Sequence, residues 1–288
     1  MTGIVDLHSH VLPGVDDGAR DTAEGVAAVQ ALFSEGITTV VATPHLSASL
    51  DERSGSLAAR LDDFDRAYAD LQAALVSDEY QGVVQRGAEI KLNAPDPDLS
   101  DPRLRIAATR FVLVEFPGFR IPPFAGNQFA ALIENGWQPV LAHAERHAGI
   151  VHTLSELHEW KSAGVCIQTN AGSLLGQYGE QAQLAAASLL SLGVVDYLAS
   201  DYHARGDIGM ASALEVLAEH SNGEEIAGLL AVANPRRLLG EENPLAVPPL
   251  EPLQRADGKG LRQLLASFGG GGSRREQTPD ETADTGSE

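Results

Sequence analysis

The chain has 288 residues, 43% of them hydrophobic, and a formal net charge of −20. That length suffices for one large domain with a single core, no apolar run approaches the roughly 20 residues of a membrane span, and the acidity argues against a nucleic-acid partner. Cys166 is the only cysteine, which excludes an intramolecular disulfide and a cysteine-rich zinc site and leaves imidazoles and carboxylates to hold any metal.

The N-terminus runs into Asp6 and His8 without a signal-peptide pattern, so a cytoplasmic location is expected. Seven β-type runs then alternate with helical stretches as far as residue 240, the pattern of a parallel sheet with crossover helices. The first run, 4–7, leads to a helix over 22–35, opened by Asp21 with Glu24 and stopped at Gly36. After the run 38–42, Leu57, Leu61, Phe64, Tyr68, Leu71 and Leu75 recur at three- and four-residue steps. They put one apolar stripe, read as core, on a second and longer helix. Runs 83–88, 111–114 and 139–142 are apolar enough to be buried on both faces. Thr153 with Glu156 opens a helix ending near Gly164; strand 165–169, helix 181–192, strand 195–199 and helix 210–218 complete the series. Residues 241–288 turn Pro-rich, then Gly-rich and polar, and read as a largely disordered tail with room for one short helix over 261–268.

Nearly every run ends in a residue that can bind a metal. The first ends in His8 and His10, the second in His45, the third in Glu89, the fourth in Glu115, the fifth in His143, and the last in Asp201 and His203, with Asp17 on the first loop. A closed parallel barrel brings all strand C-termini to one mouth. One histidine after a strand means little, but coincidence across six strands points to a site. In His8-x-His10 the two side chains share a face of an extended segment and can chelate one ion, and Asp201-x-His203 repeats the spacing.

His147, His152, His158 and His220 fall beyond strand ends or in helices and are left outside the site as surface or supporting residues. Cys166 reads as a small core residue. Gly172 stands where a cysteine-dependent tyrosine phosphatase needs an arginine, which excludes that mechanism. Asp17, Glu89, Glu115 and Asp201 would repel one another in one mouth unless cations intervene. Two divalent ions neutralise these four carboxylates, and a third leaves a formal +2 suited to a phosphomonoester dianion. Mixed imidazole and carboxylate ligation fits Mn, Fe or Zn better than Ca. Arg146 and Arg205 are the candidates for a phosphate clamp, because guanidinium offers phosphate a planar fork. Asn170 and Ser173 could add hydrogen bonds at the mouth or cap a helix.

Asp6-Leu-His-Ser-His, Leu12-Pro-Gly-Val-Asp-Asp-Gly-Ala, Thr43-Pro-His, Gly87-Ala-Glu, Val114-Glu-Phe, Ala142-His-Ala-Glu-Arg and Ala199-Ser-Asp-Tyr-His occur in that order. Together they resemble the polymerase-and-histidinol-phosphatase (PHP) superfamily. Asn170-Ala-Gly-Ser-Leu-Leu-Gly and the Glu145-Arg146 pair make the chain similar to its branch of bacterial capsule-locus manganese-dependent protein tyrosine phosphatases. The resemblance covers residues 3 to 240. It implies an α/β fold, a distorted seven-stranded TIM-like (β/α) barrel with a trinuclear site, and a phosphotyrosine substrate on a tyrosine autokinase of exopolysaccharide synthesis. The chain departs from that branch at Leu46, where a histidine or basic residue is usual, and at Ile90-Lys91-Leu92, where aromatics are usual. Two other readings are a phosphatase of the same superfamily for histidinol phosphate or another small phosphate ester, and a non-catalytic metal-binding module. The module would be marked by a missing ligand, and none is missing.

Overall fold

The computed structural model describes residues 3–50, 56–76, 82–94 and 97–252. The first strand, β1 (Ile4–Ser9), pairs in parallel with β2 (Ile37–Ala42), which pairs with β4 (Val83–Arg86). A second parallel sheet runs β3 (His45–Ser47), β5 (Glu89–Lys91), β6 (Phe111–Glu115), β7 (Gln138–Leu141), β8 (Cys166–Asn170) and β9 (Tyr197–Ala199). The expected run 38–42 is found as β2 and the run 83–88 as the shorter β4, and each continues past a break into a short strand not expected from sequence, β3 and β5. Pro44, which has no N–H to give a ladder, separates β2 from β3, and Gly87 and Ala88 separate β4 from β5. A Cβ on Gly87 would lie 3.0 Å from the carbonyl oxygen of Arg105, so the close approach at this bend calls for glycine. The broken staves stay paired through the bend, with Gly87 N–H on Ala42 O (2.9 Å) and Glu89 N–H on Pro44 O (3.0 Å).

Ring closure comes just beyond the last strand. Asp201 N–H donates to His8 O (2.9 Å), and His10 N–H donates to Tyr202 O (2.8 Å). The result is the expected distorted seven-stave α/β barrel, with two bent staves. Its interior is filled by Val5, Leu7, Val41, Phe111, Leu113, Val140, Cys166 and Tyr197, while a larger apolar layer lies between the barrel and its helices.

Helix α1 (Thr22–Ser34) forms where Asp21 and Gly36 predict it: the Asp21 side chain accepts from Glu24 N–H (2.9 Å), and Gly36 adopts φ +87°. Helix α2 (Ser56–Val76) buries Leu57, Leu61, Phe64, Leu71 and Leu75, and the Tyr68 hydroxyl donates to Val84 O at 2.8 Å. In α4 (Leu154–Ala163) the start falls as expected, but Thr153 makes no side-chain cap and donates instead to Ile150 O (3.0 Å). Helices α6 (Glu180–Ser191) and α7 (Met210–Ala218) sit where the sequence puts them. Sequence reading did not anticipate α3 (Ala125–Glu134), the short α5 (Ala171–Leu174), or α8 (Gly223–Gly228), which runs through a π turn into α9 (Asn234–Leu239).

The compact unit extends to Glu251, so the first part of the expected 241–288 tail lies on the barrel. Val247 is buried, Leu250 N–H donates to Leu190 O (3.0 Å), and Leu245 N–H donates to the buried Asn234 Oδ1 (2.7 Å). The helix considered over 261–268 lies outside the described residues. Ending the chain at Gly240 should lower the melting temperature by several degrees. The buried Asn234 Oδ1, left without its donor, costs about 1–3 kcal/mol, and each kcal/mol is worth roughly 2–4 °C at this size. A cut after Gly269, in sequence too polar to bury, should leave it unchanged; thermal melts of the two truncations check both.

Candidate metal centre

Each strand hands its ligands to the mouth by continuing its own alternation. In β6, Phe111 and Leu113 belong to the interior cluster, and Glu115 is the next inward position; in β8, Cys166 is followed inward by Gln168 and Asn170. β7 and β1 are exceptions: in β7, Val140 and Ala142 belong to the interior cluster and His143, in the left-handed region, follows out of phase, whereas β1 changes phase within the strand. An irregularity in its pairing between Asp6 and Ser9 shifts the alternation, so that His8 and His10 face inward although Val5 and Leu7 did so before them.

All nine expected ligands converge. Four overlapping groups have donor atoms within 4.8 Å of one another: His10, Asp17, His45 and His203; His8, His143 and Asp201; His8, His10 and Glu89; His45, Glu89 and Glu115. Most are buried, and Asp17, with its side chain 69% exposed, forms the outer edge, 3.4 Å from His45 Nε2 and 3.5 Å from His203 Nε2. Glu89 is the hub. Its Oε1 takes His143 Nε2 at 2.7 Å, and its Oε2 lies 2.8 Å from His45 Nδ1, 3.4 Å from His8 Nε2 and 3.6 Å from His10 Nε2. His143 and Asp201 both sit in the left-handed region, at φ 32° and 54°. For non-glycine residues that strain is a known mark of functional positions.

The imidazoles are aimed by partners behind them. His8 Nδ1–H donates to Gln168 Oε1 (3.1 Å), an oxygen fixed as acceptor because His143 N–H also donates to it (3.0 Å). His10 Nδ1–H donates to Asp16 Oδ2 (2.7 Å). His203 Nδ1–H donates to Asp201 O (2.8 Å). These tautomers turn every Nε2 lone pair inward, and His8 Nε2 and His10 Nε2 meet at 3.2 Å between two carboxylates. His45 Nδ1 and Glu89 Oε2 are buried, close together, and without an aligned hydrogen bond. Facing lone pairs of this kind need a cation between them, and nitrogen with carboxylate oxygen is a donor set that Mn, Fe and Zn accept, so the residues fit a divalent metal cluster.

The electrostatics agree. Burial would lower the His8 pKa, but Glu89 and Asp201 outweigh it and raise it to about 9. His10 moves well up for the same reasons, with Asp16 and Asp201 the main partners working against burial. Burial likewise works against ionisation of Glu89 and Asp201, yet the His8 charge and the surrounding imidazoles hold both well below the usual carboxylate range. In the metal-free chain, then, protons take the place of cations. A histidine whose folded pKa exceeds its unfolded value contributes stability that is complete below about pH 6.5 and lost as pH rises toward 9. Chelator-treated protein should therefore melt at progressively lower temperature over that window. Protein saturated with Mn should not, since its lone pairs are then coordinated; paired melts at the two pH values decide.

Several supporting residues escaped the sequence reading. Asp16, not Asp17, orients His10, and it also accepts from Gly18 N–H (2.9 Å) and His45 N–H (3.2 Å). Gln168 is the second. Its Nε2 donates to Asn170 Oδ1 (2.7 Å), and Asn170 Nδ2 donates to Asp201 Oδ2 (2.7 Å), so one chain of hydrogen bonds ties His8, His143 and Asp201 together. The available signal was a polar pair, Gln168 and Asn170, at inward positions of an apolar strand. Asn170 thus serves the mouth without capping α5, and Ser173 donates to the buried Glu145 (2.6 Å). His147 supports the cluster from behind. It is buried, its Nε2 accepts Phe116 N–H (3.3 Å), and its ring stacks on His143 at 5.7 Å, while burial first and the neighbouring His143 second push its pKa down to about 3.

The two candidate arginines part company. Arg146 reaches the cluster, with Nη1 3.1 Å from Asp201 Oδ2 and its guanidinium between the rings of Phe119 (4.3 Å) and Tyr178 (4.4 Å). Arg205 is engaged elsewhere: it donates to Gly18 O (2.9 Å) and Asp17 O and pairs with Glu24 at 3.4 Å, which anchors the first loop.

Among known proteins, the chain is 30% identical over 257 residues to the tyrosine-protein phosphatase YwqE of Bacillus subtilis, spanning 88% of this chain and 97% of that one. It is 29% identical over 205 residues to the putative tyrosine-protein phosphatase CapC of Staphylococcus aureus, spanning 69% and 77%. A solved structure from work on YwqE of B. subtilis and CpsB of Streptococcus pneumoniae, described as unique metal-dependent tyrosine phosphatases, superposes with a TM-score of 0.69 at 28% identity, covering 88% of this chain and all of that one. The phosphotriesterase of Mycobacterium tuberculosis, at 14% identity and a TM-score of 0.50 over 84% of this chain and 95% of that one, is alike in fold alone. Residues 4–240 match the family described as capsular polysaccharide synthesis, CpsB/CapC, and with that match laid over a barrel mouth lined by nine clustered imidazoles and carboxylates, the chain belongs to the CpsB/CapC family.

Proposed function

We propose that this chain is a metal-dependent phosphomonoesterase, a protein tyrosine phosphatase whose substrate is a phosphotyrosine protein, in particular a bacterial tyrosine autokinase of capsule or exopolysaccharide synthesis. The observation that carries this reading is Arg146, held by Asp201 at the rim of the cluster with its guanidinium over the rings of Phe119 and Tyr178. That setting presents a fixed fork to phosphate oxygens beside surface suited to an aryl ester. The names of the relatives and the capsular family support it.

His8, His10, Asp17, His45, Glu89, Glu115, His143, Asp201 and His203 would hold three divalent ions, with Mn favoured. Bound there, such ions supply positive charge to the phosphate and bring the pKa of water toward about 7. The chain's own residues do the rest. Asp16 and Gln168 keep His10 and His8 in the ligand tautomer, and the Gln168–Asn170–Asp201 chain fixes the spacing of three ligands. Arg146 binds and orients the phosphate. A phenolate leaving group, with a pKa near 10, needs less protonation than an alkoxide. No covalent phosphoenzyme is called for.

The test is a panel on Mn-reconstituted protein: phosphotyrosine and phosphoserine peptides, histidinol phosphate, a sugar phosphate, a nucleoside monophosphate and p-nitrophenyl phosphate. Phosphotyrosine peptide should give the highest kcat/KM of the biological esters and exceed the simple aryl phosphate. Faster turnover of histidinol phosphate would overturn the substrate and leave the metal site standing. No helix among the described residues is long and apolar enough to cross a membrane.

A further inference from the structure

Beside the metal mouth lies a groove of about 740 Å³ that the chemistry above does not use. One wall begins at Leu92, directly after β5 and its ligand Glu89; the other begins at Pro117, just after β6 and its ligand Glu115, and ends at Phe124. Loops that follow strands of a parallel barrel share one end, so the groove opens on the face that carries the ligands. Its walls are tied together and to the site. Leu92 N–H donates to Glu115 O (2.9 Å), and Gln128 Nε2 donates to Ala94 O (3.2 Å). Phe119, on the second wall's own loop, packs edge-on against His143 at 5.3 Å and carries the Arg146 guanidinium on its face.

The lining has an unusual composition for this chain. Phe124 is 53% exposed, an aromatic ring offered to solvent, and Ile121 lines the groove beside it with the buried Leu92 behind. Pro117, Pro122 and Pro123 stiffen one wall, so little entropy is lost in shaping it around a partner. Among the described residues no Asp or Glu lines the groove, although the chain has 40 of them against 20 Lys and Arg. Arg120 is exposed there, and among the described residues no ion pair engages its guanidinium. In a protein this acidic, a groove whose described lining carries an unpaired arginine and no carboxylate favours an acidic partner.

We propose that this groove binds the polypeptide that flanks the phosphotyrosine, with a bulky apolar side chain against Phe124 and an acidic one at Arg120. The inference rests on the phosphotyrosine reading and adds where specificity beyond the phosphorylated residue resides. A free aryl phosphate occupies only the mouth. A substrate chain continues past Phe119 into the groove, and only that substrate gains from Phe124 and Arg120.

The experiment uses the Mn-loaded full-length protein and its Phe124→Ala and Arg120→Glu variants, each shown by melting temperature to be folded. The substrates are p-nitrophenyl phosphate and two phosphotyrosine peptides, one with leucine and glutamate on both sides of the phosphotyrosine and one with glycine and serine in their place. Wild type should favour the first peptide about tenfold. Phe124→Ala should reduce the ratio of its kcat/KM to that of the aryl phosphate by about tenfold, as for a buried anchor at an interface, with the change in KM. Arg120→Glu should erase the preference for glutamate. Fluorescence anisotropy with the first peptide, carrying a non-hydrolysable phosphonate, should show the same order of weakening. Equal turnover of the two peptides by wild type, or variants that shift peptide and aryl phosphate by one common factor, would overturn the groove alone. Wild type that hydrolyses the aryl phosphate and neither peptide would overturn the groove together with the tyrosine phosphatase reading.

Discussion

Glu89→Ala should lower kcat/KM by well over a hundredfold and leave the purified protein with less bound metal than wild type. The side chain is fully buried, and its two oxygens lie within 3.6 Å of nitrogens from His8, His10, His45 and His143, four of the nine ligands. It is a member of two of the four donor groups. Removing a carboxylate at that point deletes a shared candidate ligand and one of the four carboxylates that draw cations between the imidazoles. Loss of a partner behind a metal ligand typically costs about 10–100-fold, and a shared ligand must cost more. His147→Ala is the matched control. His147 is no member of the donor groups and supports His143 from behind by ring stacking, so its loss should fall in the 10–100-fold range or below. Elemental analysis with steady-state kinetics on both variants checks the contrast, and equal losses would show that Glu89 is no hub.

Arg146→Ala should cost about 2–4 kcal/mol in kcat/KM on an aryl phosphate, the range for removing one preorganised charge-stabilising donor. Preorganisation is visible in the structure. The guanidinium is bonded to Asp201 and held between Phe119 and Tyr178, and it is only partly exposed, with 22% of its side chain accessible. Arg146→Lys should recover only part of the loss, because an ammonium keeps the charge and gives up the planar fork and the stacking. Arg205→Ala is the comparison. Its guanidinium binds the backbone at Asp17 and Gly18, so it should act through the Asp17 edge of the cluster and weaken metal retention more than phosphate binding. A metal titration of each variant beside its kcat and KM separates the two effects. An Arg146→Ala enzyme with unchanged kcat/KM would remove that residue from the phosphate site.

The gathering of the nine candidate ligands at one mouth was readable from sequence because it depends on chain-local rules. A strand alternates with period two, a parallel barrel gathers its strand ends, and so a histidine or carboxylate after each apolar run predicts a shared mouth. The same locality made α1, α2, α6 and α7 legible, since caps and apolar stripes lie within one element. The helices that were missed are the very short α5 and α8, the Pro-opened α9, and α3, which starts at Phe124 without a side-chain cap.

Tertiary structure alone decided what lies behind and between the ligands. Gln168 meets His8 across 160 positions of sequence, and only barrel closure brings them together. Asp16 and Asp17 are neighbours of identical chemistry, so which one orients His10 is set by how the loop turns over the mouth. Arg146 and Arg205 each follow a ligand-bearing strand end. Their separation into a residue at the rim of the cluster and a loop anchor depends on which partners, Phe119 and Tyr178 or the Asp17–Gly18 carbonyls, are packed within reach. Period-two reasoning also fails across β1, where the irregular pairing between Asp6 and Ser9 resets the inward face. Sequence fixes the chemistry each strand can present, whereas contacts between groups far apart in the chain depend on the bends at Pro44 and Gly87, the shifted pairing of β1 and the closure of β9 onto β1, none of which any single segment encodes.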